Sequence, residues 1–217
     1  MNERAEPEMD SSKYHYDSAE AAHTHAYLFP AVLELLDRVP SSARVFELGC
    51  GNGSTAHALA DLGYDVTAVD TSTEGIRIAR EHFPNCRFAV ASAYDDLAAQ
   101  YGGFQAVISL EVIEHVFYPR RFAATVAALL NPDGQAIIST PYHGYLKNLA
   151  LSVANRWDTH MDPLWDYGHI KLWSRETLTA LFEEAGLTEI DFRRVGRVPV
   201  FAKSMISSFQ KKTLITD

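Results

Sequence analysis

Short apolar runs alternate with amphipathic segments along most of this chain. The runs that predict strands lie at residues 45–48, 64–69, 87–90, 105–110, 135–140, 187–195 and 204–210. The segments that predict helices lie at residues 14–28, 30–39, 54–60, 73–82, 120–130 and 174–185. Strands that alternate with helices in this way are typical of an α/β fold with a largely parallel sheet.

Three glycines follow the first predicted strand at alternate positions. Gly49, Gly51 and Gly53 predict a tight turn before the next helix, for which Ser54 or Asn52 is the candidate cap. A helix start that follows such a turn suits an anionic ligand. The dinucleotide fingerprint needs a glycine at its sixth position, where Ser54 stands. The spacing therefore disfavours an NAD site.

Asp70 ends the second predicted strand and is the second candidate ligand residue. A carboxylate at this point of a strand–helix–strand unit can accept hydrogen bonds from both hydroxyls of a ribose. The alternative is that Asp70 caps the helix beginning near Thr73, and the two roles are compatible.

Two motifs carry a resemblance to a known family. Residues 47–53 resemble the E/D-x-G-x-G-x-G motif of class I S-adenosylmethionine (SAM) methyltransferases, and residues 111–116 resemble a stretch of the ubiquinone-pathway O-methyltransferases. The resemblance covers roughly residues 40–210. It implies a Rossmann-like, doubly wound sheet of seven strands, mostly parallel with an antiparallel last strand, and helices on both faces.

The same resemblance implies SAM as the cofactor and a set of residues that bind it. These are Glu47, Gly49, Cys50, Gly51, Asp70, Thr71, Ser92, Ala93, Leu110, Glu111 and His115. Many relatives carry an acidic residue near Ser92 that accepts from the adenine amino group. Here Ser92, a backbone group or Asp95 is expected to serve instead.

Composition limits the class of partner. The chain has 217 residues, which suits a single domain, and its formal charge of −9 argues against nucleic acid. Two cysteines are too few for a disulfide scaffold, and no apolar run is long enough to span a bilayer. With no secretory signal in view, we expect a cytoplasmic protein that is a monomer or a homodimer.

Two regions are expected to lie around the site. Residues 14–40 predict helices that cover the pocket, after a disordered tail at 1–13, and residues 142–173 predict a lid because so long a connection is unusual in a compact domain. The aromatic content of residues 142–173 suits an apolar, planar or lipidic substrate. Membrane contact by the lid is possible but not favoured, because the segment is not strongly basic. The candidate substrate-binding residues are Tyr14, Tyr16, Tyr142, Trp157 and Trp165.

Methyl transfer to oxygen requires removal of a proton, for which histidine is the usual base at neutral pH. The candidates are His143, His23, His25 and His169. No recognisable metal spacing is present in the sequence, so no metal is predicted. The predicted function is O-methylation of a phenolic, enolic or quinone-precursor hydroxyl. The alternatives are N- or C-methylation and a non-catalytic SAM-binding regulator.

Overall fold

The computed structural model describes residues 16–166 and 168–211. Predictions made for the first thirteen residues and for Tyr14 lie outside these ranges. Within them, seven strands form one sheet, and their bounds are β1 Arg44–Leu48, β2 Asp65–Asp70, β3 Arg87–Val90, β4 Phe104–Leu110, β5 Leu130–Pro141, β6 Leu187–Val195 and β7 Ser204–Lys211.

The strand order is that of a doubly wound sheet with a reversed edge. It runs β3-β2-β1-β4-β5-β7-β6. The first five strands pair in parallel, whereas β7 lies antiparallel between β5 and β6. This confirms the predicted sheet. It also places the switch point between β1 and β4, where ligands bind in folds of this kind.

Eight helices of the described part of the chain cover the sheet and its edge. They are α1 His25–Leu35, α2 Ser54–Asp61, α3 Thr73–His82, α4 Leu97–Tyr101, α5 Pro119–Leu129, α6 Tyr145–Val153, α7 Trp157–Met161 and α8 Arg175–Glu184. Helices α1, α2 and α3 bury apolar residues in one core cluster, and α4, α5 and α8 bury theirs in the other. The prediction of helices on both faces is confirmed.

Serine side chains begin two of these helices. Ser72 accepts from the Gly75 N–H at 3.1 Å, so Ser72 and not Asp70 is the cap of α3. Ser174 forms a capping box with Thr177 at the start of α8. Each cap satisfies a backbone N–H that the helix itself leaves without a partner.

Helix α2 begins without a side-chain cap. Gly53 occupies the cap position with φ +81°, and neither Ser54 nor Asn52 caps the helix, contrary to prediction. Asn52 instead accepts from the Ser54 N–H at 3.3 Å and donates to the carbonyls of Ser18 and Glu20. The Asn52 side chain therefore ties the N-terminal segment to the glycine turn.

The prediction of two N-terminal helices is wrong. One helix, α1, runs through Pro30, and residues 16–24 contain no regular helix. Pro30 removes the N–H that would bond to the Ala26 carbonyl, but Ala26 is exposed and water can replace that bond. The carbonyls of Ser18 and Glu20 bind Asn52 instead of helical N–H groups.

The predicted lid segment has two parts. Helix α6 buries none of its residues, and its outer face exposes Tyr145 (79%) and Val153 (81%). Trp173, at the other end of the segment, is buried in the core and donates to the Ile113 carbonyl at 3.2 Å. Trp173 therefore belongs to the core rather than to a lid.

Substitutions at Gly53 and Gly186 can distinguish the cost of close packing from the cost of backbone strain. A Cβ at Gly53 would lie 2.7 Å from Ala79 and 2.8 Å from Phe88, whereas a Cβ at Gly186 meets nothing within 4 Å. Both have positive φ, which costs an alanine about 1–2 kcal/mol. We expect Gly53→Ala to lower the free energy of unfolding by about 2–4 kcal/mol, because overpacking adds to the strain.

Urea unfolding of the two variants measures this difference. Gly186→Ala is the matched control and is expected to lose only the strain of about 1–2 kcal/mol. Equal losses in the two variants would contradict the claim that close packing at Gly53 requires glycine.

Candidate active site

A cavity of about 840 Å³ opens at the carboxyl ends of β1, β4 and β5. Its floor includes the turn after β1 and the residues after β4. One wall comes from residues 16–28, and another comes from α6 and the connection between β6 and β7. Of the predicted cofactor residues, Glu47, Gly49, Cys50, Gly51, Leu110, Glu111 and His115 line this cavity.

Gly51 is the point of closest backbone approach in the turn. It has φ +54°, and a Cβ there would lie 2.5 Å from the Tyr16 hydroxyl. Tyr16, a predicted substrate residue, therefore lies directly against the glycine turn. Glycine is required at this position by both its backbone conformation and its neighbour.

Asp70 holds the turn from the neighbouring strand. Its Oδ2 accepts from the Gly51 N–H at 2.8 Å, and its Oδ1 accepts from the Ser72 N–H at 2.8 Å. Burial raises the pKa of Asp70, and the backbone donors of Ser72 and Gly51 oppose that rise. The carboxylate thus sits beneath the turn and fixes its shape.

Four predicted cofactor residues do not line the cavity. Asp70 lies beneath its wall, and Thr71, Ser92 and Ala93 lie at the ends of β2 and β3, beyond it. The Ser92 N–H donates to Asp95 Oδ2 at 2.7 Å, which places Asp95 close to Ser92 as the sequence suggested. The cavity therefore includes the β1 and β4 part of the predicted cofactor site.

Glu47 is a buried carboxylate at the cavity floor. It is 3% exposed, and its Oε2 has no hydrogen-bond partner among the described residues. Burial, with the charge of Asp70, raises the pKa of Glu47 well above its ordinary value. A buried carboxyl oxygen without a hydrogen-bond partner is a site for a cation.

Glu111 adopts a backbone conformation that is unusual for its residue type, with φ +55°. Its Oε1 accepts from Ser139 Oγ at 2.7 Å, and its Oε2 accepts from Ser204 Oγ at 3.0 Å. Burial raises the pKa of Glu111 to about 7, although both hydroxyls oppose the rise. Tyr27 Oη lies 3.4 Å from Ser204 Oγ and continues the network along the cavity wall.

Glu114, His115 and His169 form a set of potential metal ligands. One donor atom from each lies within 4.8 Å of the others. Glu114 is 1% exposed, and its Oε1 has no hydrogen-bond partner in the described ranges. No spacing in the sequence indicates this set, because His169 is distant along the chain. The backbone carbonyl of Glu114 accepts hydrogen bonds from the N–H groups of Ile170 and Lys171, and these bonds hold the neighbouring His169 close to Glu114.

Both histidines of this set are suited to bind a cation. Burial, with the charges of His115 and His160, lowers the pKa of His169 to about 4, so its imidazole is neutral near pH 7. His115 Nδ1 donates to the Gly168 carbonyl at 3.2 Å, which leaves Nε2 as the nitrogen with the lone pair. An imidazole that donates its other N–H to a carbonyl is typical of a metal ligand.

The predicted catalytic histidines divide between the cavity and its surroundings. His23, His25 and His169 line the cavity, together with His115 and His160. His143 does not line it. The His143 side chain instead packs against His160, with ring centroids 5.4 Å apart, and its Nδ1 is buried without a partner in the described structure.

The predicted substrate residues divide in the same way. Tyr16 and Trp165 line the cavity. Tyr142 lies outside it, with its hydroxyl 3.4 Å from Arg194, and Trp157 donates to Ser152 Oγ at 2.9 Å. The roles of these residues stay predictions.

The charged cavity residues that were not identified from sequence as site residues are Glu114, Lys147, Arg156, Arg197 and Lys203. Glu114 had a signal, because it lies in the 111–116 stretch that carries the family resemblance. Lys147 lies one helical turn before Ala150 and Leu151, which also line the cavity, so the face of α6 was the available signal. Arg197 had none, because its place depends on how β6 and β7 are joined.

Comparison with known proteins identifies the family. Residues 21–191 match a family model described as a methyltransferase domain. This chain therefore belongs to that methyltransferase family, which confirms the class indicated by the glycine turn and the sheet order.

Two curated relatives are more specific. The ubiquinone biosynthesis O-methyltransferase of Xanthomonas axonopodis pv. citri (strain 306) is 38% identical over 105 residues, 46% of this chain and 44% of the relative. The protein of the same name from Caulobacter sp. (strain K31) is 39% identical over 113 residues, 50% of this chain and 44% of the relative. The chain thus spans less than half the length of these relatives.

Solved structures share the fold at low sequence identity. The magnesium protoporphyrin IX methyltransferase of Synechocystis PCC 6803, with bound SAH (S-adenosylhomocysteine), has a TM-score of 0.66 and 18% identity over 85% of this chain and 82% of that one. The 1,6-didemethyltoxoflavin-N1-methyltransferase of Burkholderia thailandensis has a TM-score of 0.63 and 19% identity over 85% and 77%. The [4+2]-cyclase SpnF has a TM-score of 0.65 and 14% identity over 86% and 80%. The fold alone therefore does not fix the reaction.

No helix in the described ranges has the length and apolar character needed to cross a membrane.

The burial of His143 is expected to make the free energy of unfolding depend on pH in the acidic range. Burial, with the charge of Lys147, lowers the pKa of His143 from 6.5 to about 4. Between these two pH values the unfolded chain binds a proton at His143 and the folded chain does not. The free energy of unfolding therefore falls as the pH drops from 6.5 to about 4. We expect His143→Gln to remove about 1–2 kcal/mol of that loss, because the ring retains some contact with solvent.

Urea unfolding at a series of pH values between 7 and 4 measures the effect. The exposed His23 supplies the control, and His23→Gln should retain the wild-type dependence on pH. If His143→Gln unfolds with the same pH dependence as wild type, then His143 is not held neutral in the folded protein.

Proposed function

We propose that this protein transfers a methyl group from SAM to a hydroxyl of a small-molecule acceptor, a phenol, an enol or a quinone precursor. One observation carries the proposal. Glu47, whose Oε2 has no hydrogen-bond partner in the described structure, lies beside the glycine turn and shares a cavity with the polar cluster of Glu111, Glu114 and His115. The names of the curated relatives, which are O-methyltransferases of ubiquinone biosynthesis, support oxygen as the methylated atom.

The floor of the cavity fits the cofactor. Glu47 receives the ammonium of its methionine part, which supplies the partner that Glu47 Oε2 lacks in the described structure. Gly51 lets the Tyr16 side chain lie against the backbone of the turn, so Tyr16 borders the place where the cofactor would bind. Asp70 does not line the cavity, and its contribution is to fix the shape of the turn that does.

The cofactor supplies a methyl that is already activated as a sulfonium. The chain contributes binding, orientation and the exclusion of water. Tyr16 and residues 22–28 form one side of the cavity, and α6 forms another, so an acceptor between them is largely enclosed.

The choice of base follows from the pKa values. A base works best when its pKa is close to the working pH. The pKa of His169 is lowered to about 4, which makes it a weak acceptor of the hydroxyl proton. Glu111 is better matched, because burial raises its pKa to about 7. His23 and His25 also line the cavity and remain candidate bases.

The cluster of Glu114, His115 and His169 fits a divalent cation. The Glu114 oxygen that has no hydrogen-bond partner in the described ranges and the two imidazoles are a suitable donor set, and an ion between them would satisfy the buried carboxylate. When bound there, a cation supplies Lewis-acid chemistry that lowers the pKa of an acceptor hydroxyl. This proposal departs from the expectation from sequence that no metal is bound.

Transfer of labelled methyl tests the proposal. The protein is incubated with SAM carrying a ¹³C methyl, with Mg²⁺ or Mn²⁺, and with catechol, phenol, aniline and a 1,3-diketone in separate reactions. We expect the label in an O-methyl ether, and we expect a chelator to lower the rate at least tenfold, as for a lost Lewis acid worth a few kcal/mol.

Two variants and three outcomes make the test decisive. Glu114→Gln should lose the response to metal but bind SAH as wild type does, and Glu183→Gln, an exposed change, should match wild type throughout. Label on nitrogen or carbon would favour the alternative acceptors. SAH binding without any labelled product would favour the regulator. A rate unaffected by chelation would overturn the metal role alone.

A further inference from the structure

Positive side chains collect on one wall of the cavity. Lys147 lies on α6, and Arg197 and Lys203 lie on the connection between β6 and β7. Lys147 Nζ donates to the Ala202 carbonyl at 3.4 Å and to the Tyr142 carbonyl at 2.7 Å, so the helix and the connection are in contact. Two of the three N–H groups of Lys147 are thereby used, and one remains for a ligand.

These cations have no carboxylate partner in the described part of the chain. None of Lys147, Arg197 and Lys203 lies within 4.0 Å of an acidic oxygen there. Lys203 instead lies over the Tyr27 ring, 5.2 Å from its centroid. Burial lowers the pKa of the Lys147 ammonium, and repulsion from the nearby Arg197 lowers it further.

Two arginines elsewhere on the surface have carboxylate partners. Arg77 pairs with Glu74 and Glu81 on α3, and Arg120 pairs with Glu184. With a formal charge of −9, acidic partners are abundant in this chain. Adjacent cations that face a cavity without such partners raise the local positive potential, and this attracts an anion.

The positions of the cations and of the carboxyl groups also determine how an acceptor is oriented in the cavity. The cations lie on the wall made by α6 and the β6–β7 connection, whereas the buried carboxyls of Glu111 and Glu114 follow β4. An anion is attracted to the cationic wall, whereas the buried carboxyls offer it no positive charge. A molecule with an oxyanion at one end is thereby turned with its other end toward the strand ends.

We propose that the methyl acceptor carries an anionic oxyacid group, a carboxylate or a phosphate, that binds between Lys147 and Arg197 with Lys203 beside them. This inference rests on the proposed function, because it describes the acceptor of the same cavity. Lys147 and Arg197 are binding residues that orient the acceptor, and they take no part in moving the proton.

Calorimetry on the SAH complex tests the inference without requiring turnover. The probes are 4-hydroxybenzoate and its neutral counterpart 4-hydroxybenzamide. We expect wild type to bind the carboxylate at least tenfold more tightly than the amide, as for a charge-assisted hydrogen bond. Lys147→Met with Arg197→Gln should bind the two probes equally and keep the wild-type affinity for SAH.

Arg194→Gln is the matched control for the double variant. It removes a nearby cation that does not line the cavity, and it should discriminate between the probes as wild type does. Equal affinity of wild type for the two probes in the SAH complex would overturn the inference and leave the proposed function intact. Failure to bind SAH would overturn both.

The anionic group that these cations bind could instead belong to a lipid headgroup rather than to a small-molecule acceptor. In sedimentation with vesicles, we expect phosphatidylglycerol and phosphatidylcholine to bind the protein alike. If only phosphatidylglycerol vesicles bind it, and the double variant loses that binding, then these cations serve a membrane surface and the acceptor subsite is wrong.

Discussion

The hydrogen bond from the Gly51 N–H to Asp70 is the contact on which the site depends. It joins the turn after β1 to the end of β2 at 2.8 Å, and a second bond from Ser72 holds the other oxygen of the same carboxylate. Burial makes this charge costly, and the backbone donors offset that cost. The left-handed turn, its close approach to Tyr16 and the start of α2 all follow from this anchored geometry.

The cavity floor collects carboxyl groups that a fold selected for stability alone would avoid. Glu47, Glu111 and Glu114 are buried, and burial raises the pKa of each. Two of them have an oxygen without a partner in the described ranges. A buried carboxyl group without a partner is stabilised when it binds a cation, whether an ammonium, a metal ion or a proton. The arrangement is therefore best understood as prepared for ligands.

Local signals predicted the sheet well. The bounds of β3 and β6 are as predicted, because each is a short apolar or alternating run between clear turns. The N-terminal helices were mispredicted because the contact that decides residues 16–24 comes from Asn52, far along the chain. Helical periodicity is a local property and cannot report such a contact.

The site was predictable only where it follows the strands. The glycine turn and Asp70 lie at strand ends, which the sequence locates, but the approach of His169 to Glu114 depends on backbone bonds from Ile170 and Lys171. His143 was expected at the cavity because it closely follows β5. The chain turns there, and the ring packs against His160 instead.

The proposed chemistry depends first on Glu47 and the glycine turn receiving the amino-acid end of SAM. Calorimetric titration of wild type and Glu47→Gln with SAH tests this most directly, with NAD as the competing ligand. We expect SAH to bind wild type at one site, Glu47→Gln to weaken that binding about 10- to 100-fold, as for a lost charged hydrogen bond, and NAD not to bind. Equal SAH affinity in the two proteins, or binding of NAD in place of SAH, would contradict this assignment of the site.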